Sequence, residues 1–198
     1  MVNFVSKPTL KGDLVTLRPV AVQDVETLQG LMADHEVSRL TGSVHSEGES
    51  SAGVWTRDEL EKIYRQWSTA ADRLVWVIIE RASGQIVGES VLNDLNEANR
   101  SCGFRIWIVG ARDRGLGTES TWLTVRYAFE KIGLHRVELE VYDFNPRARR
   151  VYEKVGFVHE GTRREALRFD DEWVDAHQMS MLASDWPSGR GRGQHLDR

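Results

Sequence analysis

The chain has 198 residues, 40% hydrophobic and 28% charged, with a formal net charge of −4 at pH 7. That is the make-up of an ordinary soluble domain with a full core, and it excludes a nucleic-acid binder driven by bulk positive charge. A lone Cys102 excludes an intrachain disulfide, and no signal-like or membrane-length apolar run occurs, so a reduced, cytoplasmic setting with no membrane partner is expected.

In chain order, "DLVTLRPV" alternates as a strand. "VQDVETLQGLMADHE" carries Val22, Val25, Leu28 and Leu31 or Met32 at helical spacing. "TGSVHSEGESSAGVW" is rich in Gly and Ser and reads as a long mobile loop. Thr56 and Glu59 form a capping-box pattern that opens a helix over "RDELEKIYRQWSTA". Three closely spaced strands follow, "RLVWVIIER", "QIVGESVLND" and "RSCGFRIWIV", as an antiparallel meander.

Gly115 to Ile132 reads as a helix with Trp122, Val125, Phe129 and Ile132 on one face and Gly133 as its stop. "HRVELEVYDF" is a strand. "NPRARRVYEKVGF" is a short helix with Asn145 as N-cap, Pro146 in the first helical position and Gly156 just past the end. "EGTRREALRF" and "EWVDAHQMSML" suggest a closing hairpin about "DD". The expected fold is mixed α+β: about seven strands, about four helices, and a right-handed helical crossover joining two parallel strands. Residues 1–186 are read as one domain and 187–198 as a disordered tail.

"RDRGLGTEST", Arg112 to Thr121, places two glycines and two arginines at a helix start. A helix N-terminus offers unpaired N–H groups and partial positive charge, and glycine lets an anion reach the backbone. The spacing matches neither a Walker loop nor a dinucleotide fingerprint. Taken alone, a phosphate cradle and a plain turn into a buried helix stand about even.

The neighbours of the loop carry a resemblance. Arg112-Asp113-Arg114-Gly115-Leu116-Gly117 fits the cofactor motif of the GNAT superfamily of acyl-CoA-dependent N-acetyltransferases, and "LEVYDFNPRARRVYEKVGF" resembles its downstream block. "LRPVAVQDVETL" and "NPRARRVYEKVGFVHEG" are most similar to the RimJ/RimL branch. The resemblance implies a GNAT-type fold and a coenzyme A pyrophosphate held by the N–H groups of about Arg112, Arg114, Gly115, Leu116, Gly117 and Thr118. It further implies that Ile108 and Val109 line the pantetheine arm. Asn145 would bond that arm or only cap its helix. One of Arg147, Arg149 and Arg150 would reach the 3′-phosphate, with Arg150 the candidate.

Acetyl transfer from acetyl-CoA needs a base, an acid and an oxyanion-stabilising N–H. By resemblance Glu140, five residues before Asn145, is the base, and Tyr152, seven after it, is the acid. Glu89 on the meander is a rival base. The competing readings are a cross-strand ion pair of Glu140 with Arg136 or Arg105 and a packed Tyr152. Trp76 and Trp107 are candidates to stack the acceptor, or else core. Glu47 and Glu49 would either cover a cationic amine or stay solvated. Cys102 reads as packing rather than acyl carrier. The six histidines lack metal-ligand spacing, so no metal is expected.

The expected activity is therefore acetyl transfer from acetyl-CoA to a small-molecule or peptide amine by direct attack in a ternary complex. A non-catalytic acyl-CoA sensor on the same fold is the alternative, and a phosphate-binding α/β protein a third reading. The net negative charge leans toward a cationic acceptor. Relatives of this kind leave room for a homodimer.

Overall fold

The computed structural model describes residues 2–49, 55–110 and 114–187. The tail from residue 188 and Arg112 of the glycine loop lie outside the described residues. The strands are β1 (Leu10–Lys11), β2 (Val15–Pro19), β3 (Leu74–Glu80), β4 (Ile86–Asn96), β5 (Ser101–Ile108), β6 (Arg136–Tyr142), β7 (Val158–Phe169) and β8 (Glu172–Leu182). The helices are α1 (Val25–Met32), α2 (His35–Leu40), α3 (Arg57–Thr69), α4 (Leu116–Tyr127) and α5 (Pro146–Val155). All eight strands form one mixed sheet in the order β1-β2-β3-β4-β5-β6-β8-β7. Among the described residues no helix is long and apolar enough to cross a membrane.

Both faces of the sheet are covered. Leu17, Trp76, Ile78, Leu92, Phe104, Val137 and Leu139 pack with α4 and α5 in the larger core. Val75 and Val77 pack with Val25, Leu28, Leu60 and Tyr64 of α1 and α3 in the second. Successive residues of one strand therefore enter different cores.

The capping signals hold. The Glu59 N–H donates to Thr56 Oγ1, and the Thr56 N–H donates to Glu59 Oε2 at 2.8 Å. The Ala148 N–H donates to Asn145 Oδ1 at 3.1 Å, with Pro146 in the first turn of α5 and Gly156 closing it at φ +117°. The single helix expected over residues 22–36 is split instead. Asp34 accepts the Val37 N–H at 3.1 Å and restarts the chain as α2. β1 and this split account for the extra strand and helix.

The Gly/Ser-rich segment is also more ordered than expected over residues 41–49. The His45 carbonyl accepts the Asp170 N–H at 2.7 Å, and Val44 is fully buried. The segment is thus docked on the tip of the β7–β8 hairpin.

One buried carboxylate ties the N-terminal strands to α4. Glu119, in the first turn of α4, is 1% exposed. It accepts the N–H groups of Asp13, Leu14 and Val15 at 2.9, 2.6 and 2.8 Å. A Cβ on Gly12 would lie 2.5 Å from Glu119 Cδ, so the glycine is there to admit the carboxylate. Glu119→Ala strands three donors and should lower stability by about 3 kcal/mol. Gly12→Ala should lower it by about 1–3 kcal/mol. Because both act on one contact, the double variant in urea unfolding should lose less than the sum. Strict additivity would show that the two residues do not share this lock.

Candidate active site

The site begins where two strands stop pairing. β5 and β6 run parallel and pair only over Ser101–Gly103 against Arg136–Glu138. β5 continues to Ile108 on β4, while β6 continues to Tyr142 on β8. Between them opens a cleft of about 750 Å³.

Backbone groups face this gap. The Val109 N–H donates to the Val87 carbonyl at 2.8 Å, so odd-numbered residues of β5 turn their amides toward β4. The Arg100 carbonyl accepts the His135 N–H at 2.7 Å on the other side. Ile106 and Ile108 therefore aim N–H and C=O into the gap, where no β6 residue pairs with them. This corrects the expectation for Val109, whose amide is already committed, and adds Ile106, which the sequence reading missed. Alternation gives the parity only once the β4–β5 register is known.

α4 starts at the mouth of the cleft. Gly115 holds φ +75°, a conformation that favours glycine, and caps the helix. The first described bond of the helix runs from the Glu119 N–H to the Gly115 carbonyl at 3.0 Å. Among the described residues the N–H groups of Leu116, Gly117 and Thr118 donate to no protein group. Gly117 lines the cleft, and a Cβ there would meet only Ile108 Cδ1, at 3.8 Å. Neither its backbone nor its neighbours demand glycine.

One turn on, Thr121 also lines the cleft, and its Oγ1 is buried without a partner. Unpaired amides, a bare Cα and a buried orphan hydroxyl converge on one wall, and they fit a ligand rich in acceptors. The Arg114 side chain is committed within the protein. Its guanidinium pairs with Glu80, a buried carboxylate on β3 that also accepts the Ser83 hydroxyl at 2.8 Å.

The opposite wall is α5. Asn145 lines the cleft while its side chain caps the helix, and Arg147, Arg150 and Lys154 line it further along. Tyr152 reaches the cleft from the same helix, at the fork, edge-on to Phe104 with ring centroids 6.2 Å apart. Burial holds its phenol well above the usual value, so the proton stays on at neutral pH.

On the face away from α4 and α5, the cleft is lined by Arg105 and Trp107 of β5, Glu140 and Tyr142 of β6, and residues of α2. Glu140 is paired with Arg163, and its Oε2 also accepts the Gln178 amide at 2.6 Å. The cross-strand ion pair foreseen for it exists, but with β7 rather than with Arg136 or Arg105. Arg136 is taken by Glu138 and Glu160.

Glu89 does not line the cleft. It is 4% exposed behind Trp107, whose indole N–H donates to its Oε2 at 3.1 Å. Burial pushes its carboxyl up to about 7, against the opposing pull of the Tyr64 hydroxyl, the Trp107 indole and Arg105.

The two tryptophans separate. Trp107 stands in the cleft wall. Trp76 is fully buried on the α4 side, edge-on to Tyr127, with its indole N–H donating to the Pro8 carbonyl at 2.8 Å. It is core and does not line the cleft. Glu47 is held by Arg39 at 3.2 Å, and Glu49 accepts the His45 N–H at 2.6 Å. Cys102 is buried, and burial pushes its thiol up to about 12, so it packs rather than reacts. Among the described residues no group of three or more His, Cys, Asp or Glu is placed to hold a metal ion.

Known proteins are similar to this chain in sequence and in fold. A family profile described as "Acetyltransferase (GNAT) domain" matches residues 15–158. The chain is 32% identical over 131 residues to the spermidine N(1)-acetyltransferase of Vibrio cholerae, covering 64% of this chain and 73% of that one. It is 24% identical to an uncharacterized N-acetyltransferase, YokL, of Bacillus subtilis over 91% of this chain and 96% of that one. Among solved structures, a GCN5-related N-acetyltransferase from Brucella melitensis superposes with a TM-score of 0.74 at 25% identity, covering 94% and 84% of the two chains. Spermidine N-acetyltransferase from Vibrio cholerae, in complex with CoA and spermine, gives a TM-score of 0.76 at 24% identity over 88% and 98%, a likeness of fold. With the family profile spanning both strands of the fork, the glycine loop and α5, the chain belongs to the GNAT acetyltransferase family.

Proposed function

We propose that the chain is an acetyl-CoA-dependent N-acetyltransferase that acetylates a primary amine by direct attack in a ternary complex, within the RimJ/RimL-like branch. The observation that carries this reading is the fork itself: a cleft between parallel strands with bare helix amides at one mouth and a protonated tyrosine inside. Acetyl-CoA supplies an activated acyl carbon and a thiolate leaving group. The chain supplies the rest.

The N–H groups of Leu116, Gly117 and Thr118 hold the pyrophosphate, and Arg150, which lines the cleft, is the candidate for the 3′-phosphate. Ile106 and Ile108 present strand-like amides to the pantetheine arm, as an added strand would be met. The Thr121 hydroxyl finds in that arm the partner it lacks in the protein. An amide of the same strand edge is placed to stabilise developing negative charge on the acyl oxygen.

Tyr152 holds the proton that the thiolate takes. Its raised pKa keeps it in the acid form across the physiological range. Glu140 receives the amine proton, directly or through water, because it is the carboxylate that lines the cleft. Its Oε1 has no described partner. Cys102, buried with its proton on, takes no part, which favours direct attack over an acyl-enzyme. A second base reading rests on the Glu89 carboxyl at about 7, the value suited to a base at neutral pH.

Gly117→Val should leave thermal unfolding cooperative and weaken CoA binding by more than tenfold in calorimetry. Thr121→Val removes an orphan hydroxyl, so the melting temperature should hold or rise while CoA affinity falls several-fold. Normal CoA binding by both would displace the cradle from this helix.

Tyr152→Phe should lower turnover roughly 10²-fold with CoA affinity nearly intact. Unchanged turnover would remove the tyrosine from the reaction. Glu89→Gln decides between the bases. A base with a pKa near 7 gains activity as pH rises through 7, because its ionised form is the competent one. If Glu140 is the base, the Glu89→Gln protein keeps turnover within about threefold and the shape of its pH–rate profile. A loss on the order of 10²-fold, with disappearance of a rise through pH 7, would transfer the role to Glu89.

A further inference from the structure

The acceptor half of the cleft has a charge balance that a polycation does not fit. Among the described residues, Arg105 and Glu140 are the charged ones lining it on the face away from α4 and α5. Glu140 is already matched by Arg163 and by the Gln178 amide. Arg105 is exposed and has no hydrogen bond or ion pair with any described residue. Other carboxylates near this face do not line the cleft: Glu47 pairs with Arg39, Asp143 bonds His177 at 3.0 Å, Glu138 shares Arg136 with Glu160, and Glu89 is sealed behind Trp107. Of the described charged residues that line this face, the one left without an ion pair is Arg105.

A polyamine brings further ammonium groups besides the one that reacts. Each needs a free carboxylate or a ring of carbonyls, and here the unmatched charge would repel it. A guanidinium standing free beside Trp107 offers the reverse: a planar, two-pronged donor set for a carboxylate or phosphate. Its position on β5, two residues from Trp107 on the same face, puts it on the wall that the acceptor must pass.

We infer that Arg105 is a specificity-determining residue, and that the acceptor is an amine bearing an anionic group, a carboxylate or a phosphate, a few bonds from the nitrogen. This rests on reading the cleft as an acetyl-transfer site. It departs from the spermidine acetyltransferases that the chain is similar to, and it assigns the departure to one side chain.

The test measures thiol release from acetyl-CoA with four acceptors: spermidine, a dipeptide with a free carboxylate, the same dipeptide amidated, and O-phosphoethanolamine. At least one anionic acceptor should exceed both spermidine and the amide in kcat/KM by tenfold or more. Whether the dipeptide or the phosphate leads identifies the anion. Arg105→Glu should raise KM for the preferred acceptor at least tenfold, Arg105→Gln less so, and CoA affinity should not change in either. Spermidine turned over as well as the anionic amines, or a preference unaltered in both Arg105 variants, overturns this inference and leaves acetyl transfer standing. No thiol release with any of the four, from protein that binds acetyl-CoA, removes the acetyl-transfer reading and this inference with it.

Discussion

Three residue pairs between β5 and β6, and then none, set the shape of everything that follows. Each strand keeps its other neighbour, β4 or β8, so the walls of the gap are held firm by ladders that continue behind them. The separation leaves one row of β5 backbone groups unpaired in the middle of a sheet. Elsewhere that would be a cost of one to a few kcal/mol per buried group. Here it is an edge waiting for an extended ligand. The chain then leaves β5 and β6 at the same end of the fork, and each strand is followed by a helix, α4 or α5. Two helix N-termini meet at the carboxyl ends of parallel strands, the place where open α/β sheets gather their ligands.

The acidic residues do a different job from the one that bulk charge suggests. A net charge of −4 invites a cationic acceptor. Yet Glu119 holds the N-terminal strands against α4, Glu80 holds Arg114, and Glu140 holds Arg163. Glu119 and Glu80 are used up as internal fasteners, and Glu140 is shared between the cleft and Arg163. Among the described residues the cleft lining contains one carboxylate, Glu140, against Arg105, Arg147, Arg150 and Lys154. Local charge at the site is opposite in sign to that of the whole chain.

Much of the fold was legible because its signals are local. The Thr56–Glu59 box, the Asn145-Pro146 start and the Gly156 stop each rest on bonds within one turn, and each is present. The crossover between parallel strands follows from two strand patterns separated by a helix-length segment. The places where the reading failed depend on contacts distant in sequence. Trp76 and Trp107 both sit mid-strand in apolar runs. Since both sheet faces are covered, alternation cannot say which face meets the cleft. The insertion of β8 between β6 and β7, the docking of residues 41–49 on the hairpin tip and the capture of Glu119 by residues 13–15 are likewise non-local. So is the parity of the β5 amides, which put Ile106 rather than Val109 at the gap. The break at Asp34 was local and readable: an aspartate three residues before a helical amide is a cap signal inside what otherwise looked like one helix.

The most direct test of the fork as a cofactor channel reads the backbone amides themselves. Amide hydrogen exchange followed by NMR, with and without CoA, reports each N–H in turn. The account predicts slowed exchange at Ile106, Ile108, Leu116, Gly117 and Thr118 when CoA is added, while Val109, already bonded to Val87, changes little. Protection that appears at other strands while these five amides stay as fast as before would contradict it.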